Sequence, residues 1–198
     1  MADVNFNKQS HPGAGAGSSA VGDRARGDTP RSSSDVPYDL IELLFFAYRD
    51  FTSDPDDVLA EFGFGRAHHR VLHFVDRNPG MMVTDLLGIL KITKQSLGRV
   101  LKQLVDQGYI EQRPGASDRR QRLLHTTAKG HGLALQLARL QTERLDRAIL
   151  GLPDDAADTV RRFLLQMIDP ETRDEVAQLI RKDTAAGGPA SIKALDQT

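Results

Sequence analysis

No cysteine occurs in the chain, and no tryptophan. The first absence excludes disulfides, thiolate nucleophiles, Cys-based zinc sites and thiol redox switches. Aromatic residues make up only 6%, and Leu, Ala, Arg and Asp are plentiful, which favours helices over a sheet-rich fold. No apolar run approaches the roughly 20 residues that span a bilayer. The first 30 residues lack the apolar stretch of a signal peptide. A soluble, cytoplasmic protein without membrane attachment is expected. There is no GxSxG, no HExxH and no phosphate-binding loop, so neither a catalytic residue nor a cofactor is assigned. A formal charge of −1 says nothing about partners until its distribution is known.

That distribution is uneven. RPGASDRRQR, residues 113–122, places Arg113, Arg119, Arg120 and Arg122 around a Pro-Gly turn against one acid, Asp118. Residues 91–122 hold eight positive and three negative side chains, a net of +5, which leaves −6 on the rest of the chain. A localised basic face on an acidic body is the footprint of an oriented polyanion binder.

Residues 1–35 are rich in Gly, Ser, Asp and Arg, with almost no large apolar groups. They are expected to form a disordered arm, and 183–198 a flexible tail. Between them lie helical patterns. YDLIELLFFAYRDF (38–51) is helical in spacing but too apolar for one buried face. SDPDD reads as a break and a new helix start. GRAHHRVLHFVDRN is helical and is stopped by Asn78-Pro79-Gly80. A long helix is expected from Ala128 to Leu150, another opened by Pro153, and a last one around Val176, Leu179 and Ile180.

MVTDLLGILKITKQSLGRVLKQLVDQG reads as two helices. Thr84 is the expected cap of the first, with Asp85 in its first turn favoured by the dipole. Thr93 caps the second, in which Leu97, Val100, Leu101 and Leu104 share one face. Gly108 supplies the left-handed stop. The other face carries Lys94, Gln95, Ser96, Arg99, Lys102 and Gln103, all donors. YIEQRP and RLLHTT then form a hairpin. Helix, helix, hairpin is the winged helix-turn-helix order, whose second helix enters the major groove. The fold expected is therefore mainly α with a small β-hairpin wing, plus a helical dimerisation region.

Thr93, Lys94, Gln95, Ser96 and Arg99 form the expected major-groove set, since Gln reads adenine and Arg reads guanine. Lys102 and Arg113 are expected on phosphates. Arg119, Arg120 and Arg122 belong to the wing, where an arginine can enter a narrow minor groove. Asp118 is expected to pair with Arg120 and hold the loop.

Residues 84–130, TDLLGILKITKQSLGRVLKQLVDQGYIEQRPGASDRRQRLLHTTAKG, resemble the MarR family of bacterial transcription regulators. Leu104 with Gly108, the Asp118-Arg119-Arg120 wing and Thr127-Ala128-Lys129-Gly130 carry the likeness, and the order of flanking helices extends it over 36–182. The resemblance implies a homodimer whose helices at 36–62 and 131–182 intertwine. Two DNA-binding lobes, each 66–130, would straddle a pseudo-palindromic operator on double-stranded DNA, normally as a repressor. It also implies a small aromatic or phenolic effector bound between dimer helices and lobe. Two departures stand out. Lys91 occupies a position where relatives often have a turn glycine, so a slightly different turn is expected. Gly98 weakens the recognition helix by about 1 kcal/mol against Ala and could let DNA approach closely.

The histidines leave alternatives open. His69 and His73 are four apart on a helix, with Asp76 three further on, a spacing that can share a metal. No metal is assigned. A pocket lined by Phe46, His69 and His73 is the favoured reading. A metal-dependent enzyme using the His/Asp group, and a winged helix used to dock another protein, are the competing functions.

Overall fold

The structure is a computed structural model and describes residues 36–115 and 118–185. The expected arm at 1–35 and the tail from 186 onward lie outside the described residues. Contacts divide the chain after Asp39, and the packing that follows is that of residues 40 onward.

The elements run α1 (Tyr38–Ala60), α2 (Arg66–Arg77), β1 (Met81–Met82), α3 (Val83–Leu90), α4 (Lys94–Asp106), β2 (Ile110–Pro114), β3 (Arg122–Thr126), α5 (Ala128–Leu150), α6 (Ala156–Met167) and α7 (Pro170–Ala185). The strands form one antiparallel sheet in the order β1-β3-β2. The hairpin is thus joined by a third strand that sequence reasoning missed. Two residues are too few to show an alternating pattern.

The core is built from α2, α3, α4, the sheet and the first half of α5. Leu72, Leu86, Leu97, Leu104, Ile110, Leu124 and Leu137 are fully buried in it. Each such leucine contributes roughly 1.5–3 kcal/mol relative to an exposed one. Helix α2 lies at the centre, packing on α4, α5 and β3.

Three expectations are corrected. No break occurs at SDPDD: α1 is one helix of 23 residues with Pro55 inside it. An interior proline costs about 3 kcal/mol by removing a backbone bond and crowding the preceding turn. The carbonyl that Pro55 leaves without its N–H partner is that of Phe51, and the hydroxyls of that turn bond the carbonyls just before it. Thr52 Oγ1 donates to Tyr48 O at 3.1 Å and Arg49 O at 3.0 Å, and Ser53 Oγ donates to Asp50 O at 2.9 Å. Thr52, Pro55 and Leu59 also share one buried face, and this burial offsets the cost. Second, Met82 rather than Thr84 is the N-cap of α3, because β1 pairing carries the chain straight from sheet into helix. Asp85 keeps its role: its carboxylate accepts from Met82 N–H at 2.9 Å. Third, the last helix continues to Ala185, three residues beyond Lys182, after which the tail is expected to begin.

The first half of α1 and much of α6 have a different character. Leu43 is 62% exposed, Phe45 63% and Phe163 54%, alongside exposed Leu40, Ile41, Leu44, Leu164 and Met167. Contiguous apolar surface of this kind marks an interaction face.

Candidate nucleic-acid interface

The turn between α3 and α4 is set by Lys91. It closes α3 in the left-handed region (φ 52°, ψ 39°), with its N–H donating to Leu87 O at 3.0 Å. It is the one non-glycine residue with positive φ among the described residues. The turn therefore keeps the glycine-type conformation despite the lysine, at a cost of roughly 1–2 kcal/mol. The different turn expected from Lys91 does not occur.

Thr93 then caps α4. Its Oγ1 accepts from Ser96 N–H at 3.1 Å and donates to Ser96 Oγ at 2.9 Å. Leu97, Val100, Leu101 and Leu104 turn inward, which forces Lys94, Gln95, Ser96, Arg99 and Lys102 outward, all exposed. The helix ends on Gly108 (φ 73°), whose N–H donates to Val105 O while Tyr109 N–H donates to Leu104 O at 2.8 Å. That reciprocal pair satisfies carbonyls that would otherwise be orphaned.

Gln103 does not belong to the outward set. Its Oε1 lies 2.9 Å from His68 Nε2, and its Nε2 donates to Gly63 O at 3.2 Å. His68 Nδ1 accepts from Gly65 N–H at 3.1 Å, so Nε2 is left as the donor to Gln103. The His68 ring also stacks on Phe64 at 4.7 Å. Gln103 thus fastens α4 to the start of α2. Its place beside buried Leu104 is the one hint available in the sequence.

The wing is held by short-range bonds. Strands β2 and β3 pair from Ile110 opposite Thr126 to Pro114 opposite Arg122. Gly115 N–H donates to Gln121 O at 3.1 Å, and Gln121 N–H donates to Asp118 O at 3.0 Å. A Cβ on Gly115 would lie 2.7 Å from Asp118 O, so only glycine fits there. Asp118 does hold the loop through Arg120, but by its backbone: Oδ1 accepts from Arg120 N–H at 2.9 Å. The expected charge pair with the Arg120 side chain is replaced by this turn bond, for which a short acidic side chain is suited.

The three acids of the basic segment are all engaged within the chain. Asp106 takes Lys102, Glu111 takes Arg113 with Arg113 Nε donating at 3.0 Å, and Asp118 takes the Arg120 amide. Lys102 and Arg113, the residues expected on phosphates, therefore start in exposed ion pairs. Such pairs contribute about 0–1 kcal/mol, little enough for a phosphate to replace the partner. Lys94, Arg99, Arg119, Arg120 and Arg122 are exposed and bear no ion pair among the described residues.

The junction after the wing explains Thr127-Ala128-Lys129-Gly130. Thr127 Oγ1 caps α5 by accepting from Gly130 N–H at 3.1 Å, and donates to Gly108 O at 2.7 Å. Lys129 Nζ donates to Gln107 O at 3.0 Å and sits 4.1 Å from the Tyr109 ring centre. A Cβ on Gly130 would fall 1.9 Å from Tyr109 O. The start of α5 is thus pressed against the end of α4.

Of Phe46, His69 and His73, the two histidines lie within electrostatic reach of each other. The Phe46 ring meets Phe45 edge-on at 5.3 Å and lies under the Arg49 guanidinium at 4.9 Å. Asp56, whose charge acts on His69, is ten residues further along α1, about 15 Å. Burial pushes the His69 imidazole below its ordinary range, the charge of His73 adds to this, and Asp56 opposes it. His73 alone of the three lines a hollow of 760 Å³ with Phe74, Ile89, Lys91, Val176 and Leu179. Among the described residues no cluster of three or more His, Cys, Asp or Glu could hold a metal. Asp76 turns instead to Thr126 and His131. No described helix is long and apolar enough to cross a membrane.

Comparison with known proteins agrees with this geometry. Residues 62–121 match the model of the MarR family. The chain is 47% identical over 133 residues to the HTH-type transcriptional regulator PetP of Rhodobacter capsulatus, which covers 67% of this chain and 80% of that protein. Among solved structures, the transcriptional regulator SlyA superposes with a TM-score of 0.56 at 21% identity, covering 71% of this chain and 95% of that one. A mutant of MarR from E. coli, complexed with operator DNA, gives 0.52 at 21% identity, covering 66% and 94%. Both share the fold of a mainly helical chain with a small β wing. With its winged helix-turn-helix lobe and its close likeness to PetP, the chain belongs to the MarR family of transcriptional regulators.

Proposed function

We propose that the protein is a sequence-specific repressor that binds double-stranded DNA as a homodimer. Helix α4 enters the major groove, where Gln95 and Arg99 read bases while Thr93, Lys94 and Ser96 support them. Lys102 and Arg113 neutralise phosphates, and Arg119, Arg120 and Arg122 flank the site from the wing. The observation that carries this reading is the set of five exposed cations, Lys94, Arg99, Arg119, Arg120 and Arg122, that bear no ion pair among the described residues, in a segment whose acids are already engaged. That a mutant of MarR from E. coli, a chain of the same fold, is complexed with operator DNA supports DNA as the partner here. The apolar faces of α1 and α6 support dimerisation, since a lone chain leaves them in water. A two-fold dimer would then meet a pseudo-palindromic operator.

Fluorescence anisotropy on labelled duplex across a salt series tests the reading. Affinity should fall steeply with salt, at two chains per duplex. Binding that ignores salt, or a one-to-one complex, would refute it. Repression requires that adding the protein lowers transcription from a template bearing its operator. For an effector, the seat best supported is the hollow between α2, α3 and α7. It has an apolar floor of Phe74, Ile89, Val176 and Leu179, and its polar side carries Asp85, Asp169 and Glu175 beside His73 and Lys91. Three carboxylates against one ammonium favour a neutral phenol there over an anionic acid. Thermal shift with neutral phenols, compared with the corresponding phenolic acids, reads that directly.

A further inference from the structure

Asp76 breaks a local rule. It lies in the last turn of α2, where a negative charge opposes the helix dipole. Its carboxylate is only 11% exposed, and partial burial raises the cost of an unmatched charge. What holds it there comes from far along the chain. One oxygen, Oδ1, accepts from Thr126 Oγ1 at 2.8 Å and from the Nδ1 of His131 at 2.9 Å. Thr126 ends β3, at the base of the wing opposite Ile110. His131 is in the first turns of α5. A single carboxylate on the central helix therefore holds both the strand that carries the wing and the helix that follows it.

We propose that Asp76 is the positioning residue of the wing, setting the angle at which Arg119 and Arg120 meet nucleic acid; this rests on the DNA-binding reading above. The leverage is large. Arg120 is six residues from Thr126, about 20 Å of extended chain. A swing of about 10° at the base would displace the tip by about 3.5 Å, beyond hydrogen-bond reach of a phosphate. Besides Asp76, β3 is tied to the lobe near its middle, by buried Leu124, by the Gly80 N–H donating to Leu124 O at 2.8 Å and by β1, which pairs Met81 with Leu124 and Met82 with Leu123. Asp76 itself stays out of contact with the DNA.

The test compares the salt dependence of duplex binding, by fluorescence anisotropy, in full-length variants. Asp76→Ala should lower the slope of log affinity against log salt by about 1–2, since each phosphate left without its cation lowers it by about 0.9. Asp76→Asn retains an oxygen that accepts from both partners and should keep the wild-type slope. The Arg119→Ala/Arg120→Ala double variant should show a loss like that of Asp76→Ala, and adding Asp76→Ala to it should remove nothing more. An unchanged slope in Asp76→Ala, or losses that simply add in the triple variant, would overturn the assignment. A general weakening from poorer folding would lower affinity in both backgrounds equally and leave the slope alone. Should Asp76→Ala fail to fold, Thr126→Val removes one of the two bonds isosterically and enters the same comparison. A wild-type protein without salt-dependent binding would strike the DNA reading itself. A binding wild type with unaltered Asp76→Ala or Thr126→Val would strike only the role of Asp76.

Discussion

One substitution made at two glycines should have opposite effects. Gly98 lies in the interior of α4, and an added Cβ there meets nothing within 4 Å. Gly98→Ala removes the conformational freedom glycine loses on folding and should stabilise the protein by about 1 kcal/mol. For a chain of this size that corresponds to roughly 2–4 °C in Tm. Gly130 is also helical, but its Cβ would lie 1.9 Å from Tyr109 O. The same gain in helix propensity is then outweighed, because α5 must withdraw from the end of α4. Withdrawal threatens the 3.0 Å bond from Thr127 N–H to Tyr109 O and the Thr127 cap on Gly130. Overpacking costs about 1–3 kcal/mol and a broken cap about 1 kcal/mol more, so Gly130→Ala should destabilise by at least about 1 kcal/mol net. Urea denaturation of both variants beside wild type reads the two signs. A neutral or stabilising Gly130→Ala would refute the close approach of α5 to Tyr109. The Gly98 variant carries a second readout: if α4 lies with its backbone near DNA, stability rises while affinity for duplex falls. Unchanged affinity would show that Gly98 does not touch the duplex.

Further outcomes follow from the same geometry. Arg99→Ala should lose about 1–3 kcal/mol on the cognate operator and less on random duplex, and equal losses on both would contradict base reading. Arg119→Ala should weaken binding to all sequences and flatten the salt slope by about 1; an unaltered slope would mean that this arginine neutralises no phosphate. Lys91→Gly relieves roughly 1–2 kcal/mol of left-handed strain against a glycine cost of about 0.5–1 kcal/mol. Its urea midpoint should stay or rise, and a clear fall would mean that the lysine side chain is itself stabilising. His69 is held below its ordinary value of 6.5 mainly by burial. The unfolded chain then binds a proton that the folded one refuses, so stability should fall as the pH drops through about 6.5 and level off below the folded value. His69→Gln should lessen that fall in a denaturation series from pH 8 to 5; a series identical to wild type would place the effect on other histidines.

The elements with a short-range signature were legible in the sequence. The capping threonine and the 97, 100, 101, 104 spacing define α4, and the structure places them so. Gly108 stops the helix because only a left-handed residue lets Tyr109 N–H reach Leu104 O. The hairpin follows from alternation around a Pro-Gly turn. Pro55 misled because propensity argues from the chain alone. The burial of Thr52, Pro55 and Leu59 on one face, and the hydroxyls bonding carbonyls in the turn before it, are tertiary and rotameric facts. Met81–Met82 was invisible for a related reason: a two-residue strand exists only through its partner β3.

The polar side chains divide in the same way, and the division bears on where function sits. Residues on the exposed faces of α4 and the wing have their roles written in local periodicity, because facing water requires no distant partner. Gln103 and Asp76 have the same polar character but find partners 35, 50 and 55 positions away, and no periodicity encodes such a separation. Both join α2 to another part of the lobe, Gln103 to the recognition helix and Asp76 to the wing strand. The bonds that fasten the recognition helix and the wing strand to α2 are thus the ones the sequence conceals. A scan of exposed cations alone would therefore find the groups proposed to touch DNA and miss their alignment. Variants at Gln103 and Asp76 should change how those groups act together without removing any one of them. A Gln103→Ala variant that weakens binding while keeping the wild-type salt slope, beside an Asp76→Ala variant that lowers the slope, would separate aim of the helix from aim of the wing. Identical slopes in the two would mean that the lobe moves as one rigid piece.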